Sequence, residues 1–144
     1  MDFAIREAEI SDFDRVYPLF EQLWPNKPIN RAELQKVFER GVTSPTDVLL
    51  CAVSGEAIIG FSAYALVNNL WQEGMIAYIY AMVVDDKFRG RGIGTKLIEA
   101  VIRSSKEQGL KRVELDSGFP REKAHEFYMK LGFEKRAFLF SYPL

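Results

Sequence analysis

Cysteine, histidine and net charge are all scarce in this sequence, and each scarcity excludes a class of protein. Cys51 is the only cysteine, so the chain forms no intrachain disulfide and has no zinc-ribbon spacing. His125 is the only histidine, which excludes a multi-histidine site, and we expect no bound metal. The formal net charge is −1, whereas proteins that bind along nucleic-acid backbones usually need a clear basic excess. We therefore expect no nucleic-acid partner.

Long apolar runs are missing as well. The longest, residues 75–84, is about half of the roughly 20 residues that span a membrane. The first residues, Met-Asp-Phe-Ala-Ile-Arg-Glu, contain no apolar signal core. Hydrophobic residues make up 48% of the 144 and charged residues 27%, a composition typical of one folded domain. We expect a single cytoplasmic domain over residues 1–144, with no membrane partner.

The spacing of apolar residues predicts an α/β protein with the order β-α-α-β-β-β-α-β-α-β. Strands are predicted at residues 2–7, 47–53, 57–67, 75–84, 111–116 and 134–142. Two helices are predicted after the N-cap residues Ser11 and Asn30, a third from Ile93 to Gly109, and a fourth from Pro120 to Gly132. Residues 75–84 are almost continuously apolar, which indicates a central strand buried on both faces.

A glycine- and arginine-rich stretch, FRGRGIGTK at residues 88–96, joins that apolar strand to the third helix. Its glycines let the backbone approach a ligand without Cβ clashes. The first N–H groups of the helix and the positive end of its dipole attract anions, and Arg89 and Arg91 add forked donors. The context favours a phosphate or pyrophosphate site. The alternative is a glycine-rich turn with two solvated arginines.

Two stretches resemble the GNAT family of N-acetyltransferases. Residues 89–94 (RGRGIG) are similar to that family's Arg/Gln-x-x-Gly-x-Gly/Ala acetyl-CoA loop. Residues 124–133 (AHEFYMKLGF) are similar to its Ala-x-x-Phe-Tyr-x-x-Leu-Gly-Phe helix. Both occur in the family's order, and the element order resembles that fold over nearly the whole chain. The resemblance implies a mixed central sheet flanked by helices, acetyl-CoA as co-substrate, and a homodimer as a possible assembly.

The resemblance also implies donor-site residues. The pyrophosphate of CoA is held by the equivalents of Arg89, Gly90, Arg91, Gly92, Ile93, Gly94 and Thr95. The preceding strand pairs with the pantetheine arm at Met82, Val83 and Val84, and it splays from the strand at 113–116 to receive the thioester. Tyr128 matches the tyrosine that often protonates the departing thiolate. The alternative for Tyr128 is a packing role on its helix.

The general base is not specified by the resemblance. Many relatives carry a glutamate where this chain has Tyr80. Glu73, Glu114 or Asp116 could replace it through water, or the amine could lose its proton to solvent. Arg121 stands where relatives often have an asparagine that contacts CoA. It either reaches a CoA phosphate or lies in the first turn of a helix without contacting CoA.

Two further residues are expected to have no part in the chemistry. His125 is expected on the surface or in packing, since Glu126 and Lys130 beside it look solvated. Cys51 lies in an apolar strand and is expected to be buried and inert. Direct attack in a ternary complex is therefore favoured over a route through an acyl-cysteine.

The acceptor residues are predicted to be Trp24, Glu73, Tyr80 and Asp116, because aromatic faces and carboxylates attract a cationic amine. The alternative for Trp24 is packing. The leading hypothesis is acetyl transfer to the primary amine of a small molecule. A protein or peptide N-acetyltransferase and a non-catalytic acyl-CoA-binding sensor are the alternatives. Nucleic-acid binding through the arginine–glycine loop is a distant fourth.

Overall fold

The computed structural model describes residues 2–118 and 120–144, which form an α/β structure with helices and strands in the order β-α-α-β-β-β-α-β-α. The strands are β1 (Ala4–Glu7), β2 (Asp47–Ser54), β3 (Ala57–Asn69), β4 (Gly74–Val84) and β5 (Val113–Leu115). The helices are α1 (Phe13–Leu23), α2 (Arg31–Thr43), α3 (Ile93–Glu107) and α4 (Glu122–Lys130), with short 3-10 helices at Ile10–Asp12 and Asp86–Phe88. The chain divides into two compact units, one ending at Glu114 and the other being Leu115–Leu144. That it functions as one domain over residues 1–144 stays a prediction.

The five strands form one sheet in the order β1-β2-β3-β4-β5. The first four pair antiparallel with their sequence neighbours. At the other edge, Lys111 N–H donates to Met75 C=O and Ala77 N–H to Arg112 C=O, both at 2.9 Å. These bonds advance in the same direction along both segments, as they do between parallel strands. The predicted mixed sheet with flanking helices is confirmed.

Helices α1 and α2 cover one face of the sheet because their apolar stripes meet the inward residues of β2, β3 and β4. Aromatic rings dominate this core: Phe20 meets Phe61 of β3 edge-on at 5.3 Å, and Phe13 meets Phe38 at 5.4 Å. Ala81 and Val83 of β4 belong to the same cluster. Burial of each such phenyl ring is worth about 1.5–3 kcal/mol, so this core fixes β4 against the first two helices.

Helix α3 covers the opposite face and lies unusually close to β3. Its inward residues, Ile93, Leu97, Ile98 and Val101, are almost fully buried. A Cβ on Gly60 would come within 3.1 Å of both the Ile93 and Leu97 side chains. Gly60 pairs with Val84, the last residue of β4, so the glycine lets the first turn of α3 sit beside the end of β4.

The predicted cap of α2 is confirmed and that of α1 is wrong. The Asn30 side chain accepts a hydrogen bond from Glu33 N–H at 3.1 Å, as an N-cap does. Ser11 instead lies inside the 3-10 helix before α1, where the Asp12 carboxylate accepts from Glu9 N–H at 2.8 Å. That bond belongs to the cap of the 3-10 helix, whereas Asp12 occupies the N-cap position of α1 without a side-chain bond to that helix, and its carboxylate binds Arg6 and Arg15.

The predicted final strand is also wrong. Residues 134–144, all of them described, have no regular secondary structure and are exposed. The alternation of Phe138, Phe140 and Tyr142 has the period of a strand, yet these side chains are 73%, 91% and 87% exposed. Alternation produces a strand only where a neighbouring strand supplies the ladder. None of the described helices is long and apolar enough to cross a membrane.

Candidate active site

The loop between β4 and α3 has a backbone that only glycine adopts readily. Gly90 and Gly92 have φ values of 79° and 81°, in the left-handed region, and Gly92 is the N-cap of α3. A Cβ at either position would meet nothing within 4 Å, so the glycines are required by torsion and not by crowding. The loop is anchored at its start, where Asp85 N–H donates to Ile59 C=O at 2.9 Å.

This loop directs backbone N–H groups away from the start of α3. The first helical hydrogen bond runs from Lys96 N–H to Gly92 C=O, at 3.1 Å. The N–H groups of Ile93, Gly94 and Thr95 precede that bond and point out of the helix end, where the dipole is positive. The open surface above Gly92 and these amides together fit a phosphate group.

Both loop arginines are oriented by neighbours. The Arg89 Nε–H donates to Val84 C=O at 3.2 Å, and the Arg91 guanidinium lies 5.3 Å from the centroid of the Phe88 ring. Both arginines are exposed, and each guanidinium lies beside the glycine turn, where an anion would meet forked donors.

The end of β4 leads directly into this loop. Met82 and Val83 are buried, Val84 is partly buried, and all three pair with β3 at Ser62, Phe61 and Gly60. At the opposite end of β4, near its first residues, hydrogen bonds at residues 75 and 77 join it to the segment that leads into β5. The strand that contains Met82, Val83 and Val84 thus runs into the glycine turn, as the sequence predicted.

A β-bulge interrupts β4 just before the predicted pantetheine residues. Ala63 pairs with Ala81 and Tyr64 pairs with Ile79, which leaves Tyr80 as the extra residue. Ala81 packs into the core below α1 and α2, and the Tyr80 side chain turns toward α2 and β2 beside it. The bulge thus puts two consecutive side chains on one face of the sheet.

The Tyr80 hydroxyl donates a hydrogen bond to Asp47 Oδ2 at 2.6 Å. Burial and the hydrogen bond to the Asp47 carboxylate raise the pKa of Tyr80 above its usual value. The Tyr80 side chain nevertheless remains 41% exposed. Sequence reasoning did not single out Asp47, because no local signal links two residues on strands that are not neighbours in the sheet.

The structure places the other predicted acceptor residues as follows. Trp24 stacks on Phe20 with ring centroids 5.5 Å apart and planes 5° from parallel, which is a packing role. Glu73 lies in the β3–β4 turn with φ 57°, and six residues separate it from Tyr80, which corresponds to about 20 Å along the strand. Asp116 is exposed just after β5 and belongs to the second unit.

The second unit contains the predicted proton donor. Tyr128 of α4 is 8% exposed, and its ring contacts those of Phe127 and Phe133 at centroid distances of 5.3 and 5.7 Å. Burial raises the pKa of Tyr128, so the phenol stays protonated at neutral pH. Arg121 precedes α4 at its N-cap position. His125 Nε2 lies 2.9 Å from Gly118 C=O, which fits the expected packing role.

Cys51 is fully buried, as the sequence predicted, and burial raises its pKa to about 12. The thiol is therefore protonated and inaccessible to a thioester. Within residues 2–118 and 120–144, no group of three or more His, Cys, Asp or Glu side chains is arranged to hold a metal ion.

Comparison with known proteins gives consistent matches. A family model described as "Acetyltransferase (GNAT) family" matches residues 13–133. An uncharacterized N-acetyltransferase from Methanocaldococcus jannaschii is 40% identical over 89 residues, which are 60% of this chain and 38% of that protein. The match thus spans well under half of that relative's length.

Two other matches cover nearly the whole chain. Glucosamine 6-phosphate N-acetyltransferase from Trypanosoma brucei brucei is 29% identical over 92% of this chain and 90% of its own length. The solved structure of an aminoglycoside N-acetyltransferase in complex with CoA superposes with a TM-score of 0.86, covering 99% of this chain and 95% of that one at 21% identity. At that identity the likeness concerns the fold.

Proposed function

The chain belongs to the Acetyltransferase (GNAT) family, whose members use acetyl-CoA, and from this premise we propose that it transfers an acetyl group to the primary amine of a small molecule. The observation that carries the proposal is the left-handed Gly92 turn. It presents the amides of α3 to an anion at the point where β4 ends.

The donor side of the proposal rests on this loop and strand. The amides of residues 89–95 and the side chains of Arg89 and Arg91 hold the pyrophosphate, since both arginines are already oriented beside the turn. The backbone of Met82, Val83 and Val84 aligns the pantetheine arm. When bound, acetyl-CoA supplies an acyl thioester that an amine can attack.

Tyr128 is proposed as the proton donor to the leaving sulfur. A buried phenol with a raised pKa keeps its proton at neutral pH, so it can donate a hydrogen bond as negative charge grows on the sulfur. We propose direct attack by the amine in a ternary complex, because the buried Cys51 thiol is unsuited to carry the acetyl group.

A small-molecule acceptor is favoured by the full-length similarity to glucosamine 6-phosphate N-acetyltransferase. The predicted acceptor residues are Trp24, Glu73, Tyr80 and Asp116, and the Tyr80 hydroxyl donates a hydrogen bond to the Asp47 carboxylate. We also retain the cytoplasmic location expected from the sequence, since a chain with one cysteine needs no oxidising compartment.

The test combines a binding measurement with an activity panel. Isothermal titration with acetyl-CoA should show binding, and CoA release should be measured with glucosamine 6-phosphate, an aminoglycoside, a polyamine, free amino acids and a peptide. Release with one or more of the small amines supports the proposal. Release with the peptide alone indicates a peptide acetyltransferase, and binding without release indicates an acyl-CoA sensor. RNA binding that acetyl-CoA fails to displace would contradict the donor site altogether.

A further inference from the structure

We propose that Tyr80 and Asp47 form the acceptor subsite, in which Tyr80 binds the ammonium group of the acceptor and passes its proton to Asp47. This inference rests on the proposed function, because it concerns the amine that the proposed reaction acetylates. It assigns Tyr80 as a catalytic residue and Asp47 as a positioning and proton-accepting residue that acts through Tyr80.

The direction of the Tyr80–Asp47 hydrogen bond is fixed by chemistry. An ionised carboxylate only accepts hydrogen bonds, so the Tyr80 hydroxyl is the donor and Asp47 Oδ2 the acceptor in the 2.6 Å hydrogen bond. The lone pairs of the Tyr80 oxygen are then left to accept an N–H from a cationic amine. A phenol bonded to a carboxylate is also a stronger acceptor than a free one, because consecutive hydrogen bonds polarise each other.

Asp47 is held in this orientation by its own neighbours. The hydroxyl groups of Ser44 and Thr46 lie 3.2 and 3.3 Å from Asp47 Oδ1, so one carboxylate oxygen is occupied by the chain before β2. The other oxygen is directed at Tyr80. This division keeps the carboxylate from rotating away when a cation approaches.

Helix α2 lies beside the Tyr80 hydroxyl but leaves the Tyr80 side chain accessible. Gly41 of α2 faces it, and a Cβ at that position would lie 3.4 Å from the Tyr80 oxygen and 3.0 Å from Leu49 Cδ1. Because position 41 has no side chain, α2 packs closely against Leu49 and passes beside the Tyr80 hydroxyl without a Cβ that touches it. The Tyr80 side chain is 41% exposed although its hydroxyl is engaged.

The position of Tyr80 along β4 fits this role. The bulge turns Tyr80 out of the regular alternation, two residues before Met82, where the predicted pantetheine segment begins. Bulges often re-aim a side chain beside an active site.

The proton transfer balances within the pair. One N–H bond of the ammonium breaks as the proton reaches the Tyr80 oxygen, and the Tyr80 hydroxyl proton moves to Asp47 Oδ2. The products are a neutral amine, an unchanged neutral phenol and a protonated Asp47. One positive and one negative charge are cancelled, and Asp47 then releases its proton to water. The amine nitrogen is left with the lone pair that attacks a carbonyl.

The test uses Tyr80→Phe and Asp47→Asn, with Tyr64→Phe as the matched control. Tyr64 donates a similar hydrogen bond to Ser104 at 3.1 Å on the opposite face of the sheet, away from the proposed subsite. Melting temperature and acetyl-CoA titration first establish that each variant folds and keeps its donor site. The amine panel is then assayed for CoA release and, by titration, for binding to the protein.

For every amine that the unmodified chain acetylates, Tyr80→Phe and Asp47→Asn should each lower kcat/KM by about a hundredfold, the usual scale of general base catalysis. Tyr64→Phe should stay close to the unmodified chain. Hydroxylamine, whose nitrogen is unprotonated near neutral pH, should be acetylated within about threefold of the original rate by both subsite variants, since it needs no base. A merely structural role would lower both reactions equally.

Each other outcome is decisive. Unchanged turnover of protonated amines, or an equal loss with hydroxylamine, overturns the proton-accepting subsite and leaves the acetyltransferase proposal in place. Failure of every amine to bind or react, with acetyl-CoA still bound, overturns the ammonium subsite while the donor site stands. Failure of acetyl-CoA itself to bind contradicts the proposed function.

Discussion

Gln22 joins helix α1 to the glycine-rich loop through a hydrogen bond to Asp86. Its Oε1 accepts from the Asp86 backbone N–H at 2.9 Å, and its Nε2 lies 3.5 Å from Asp85 Oδ1. Gln22 is in the last turn of α1, whose apolar stripe is fixed in the core below the sheet. The loop is therefore positioned by α1 as well as by the end of β4.

Replacing Gln22 with alanine should weaken acetyl-CoA binding without unfolding the chain. Loss of one such hydrogen bond costs about 0.5–1.5 kcal/mol, which corresponds to a two- to tenfold rise in Kd if the loop is displaced. Isothermal titration of Gln22→Ala measures this change. Gln35→Ala is the control, because the hydrogen bond of Gln35 to Glu39 lies within α2. Equal Kd values for both variants would contradict a positioning role for Gln22.

Gly92→Ala should lower acetyl-CoA affinity more than it lowers stability. An L-residue in the left-handed region costs about 1–2 kcal/mol, and Gly92 has a φ of 81°. This torsion at the N-cap sets the direction of the first amides of α3. We expect about a tenfold rise in Kd as the turn relaxes. Gly55→Ala is a matched control: its φ is 61°, and a Cβ there also meets nothing within 4 Å.

Urea unfolding and titration separate the two effects. Both glycine variants should lose about 1 kcal/mol of unfolding free energy, since both are strained in the same way. Only Gly92→Ala should change the Kd. A Kd for Gly92→Ala equal to that of Gly55→Ala would show that the turn does not bind the donor.

Tyr128→Phe should lower kcat by roughly ten- to a hundredfold and leave the Kd of acetyl-CoA nearly unchanged, because the hydroxyl acts only as the sulfur leaves. Pre-steady-state CoA release under conditions where chemistry limits the rate measures the effect. Tyr142→Phe serves as the control, since Tyr142 is 87% exposed at the chain end. An undiminished rate for Tyr128→Phe would leave this phenol with a packing role only.

The features that the sequence predicted are those whose signal is local. The spacing of apolar residues and the glycines at 90, 92 and 94 predicted β4, the loop and α3. Each of these elements depends on residues that are neighbours in the sequence. The Asn30 cap was predictable for the same reason. The spacing alone predicted a site for some phosphate or pyrophosphate, and the family resemblance identified the ligand as acetyl-CoA.

The features that the sequence missed depend on residues far apart in the chain. Asp47 and Tyr80 are 33 positions apart, and the bulge that brings them together depends on the register of β3 and β4. Ser11 looked like the cap of α1, but the N-cap position is Asp12, whose carboxylate binds Arg6 on β1 and makes no side-chain bond to the start of α1. The alternation at 134–142 predicted a strand whose ladder partner no local pattern can supply.

Asp12 gives the last prediction, which concerns stability and pH. Its carboxylate is fully buried, and it accepts bonds from Arg6 at 2.7 and 3.0 Å and from Arg15 at 3.0 Å. The hydrogen bond to Arg6 is the main cause that lowers the pKa of Asp12, with further lowering by Glu9 N–H and the charges of both arginines. A carboxylate whose pKa is lower in the folded state stabilises the fold above its unfolded pKa of about 3.9.

Asp12→Asn should therefore lower the unfolding free energy by about 2 kcal/mol near neutral pH, the scale of hydrogen bonds to a charged group, since the remaining Arg6 and Arg15 side chains are 38% and 48% exposed. The difference from the unmodified chain should shrink as the pH falls below about 4, because the original carboxylate is then protonated through its lowered pKa. Urea unfolding at about pH 7 and about pH 3 measures both values. Asp14→Asn, which breaks an exposed pair with Arg31 at 2.6 Å, should change stability by less than about 1 kcal/mol at either pH. A pH-independent loss in Asp12→Asn would show that the shape of the side chain, and not its charge, stabilises this corner.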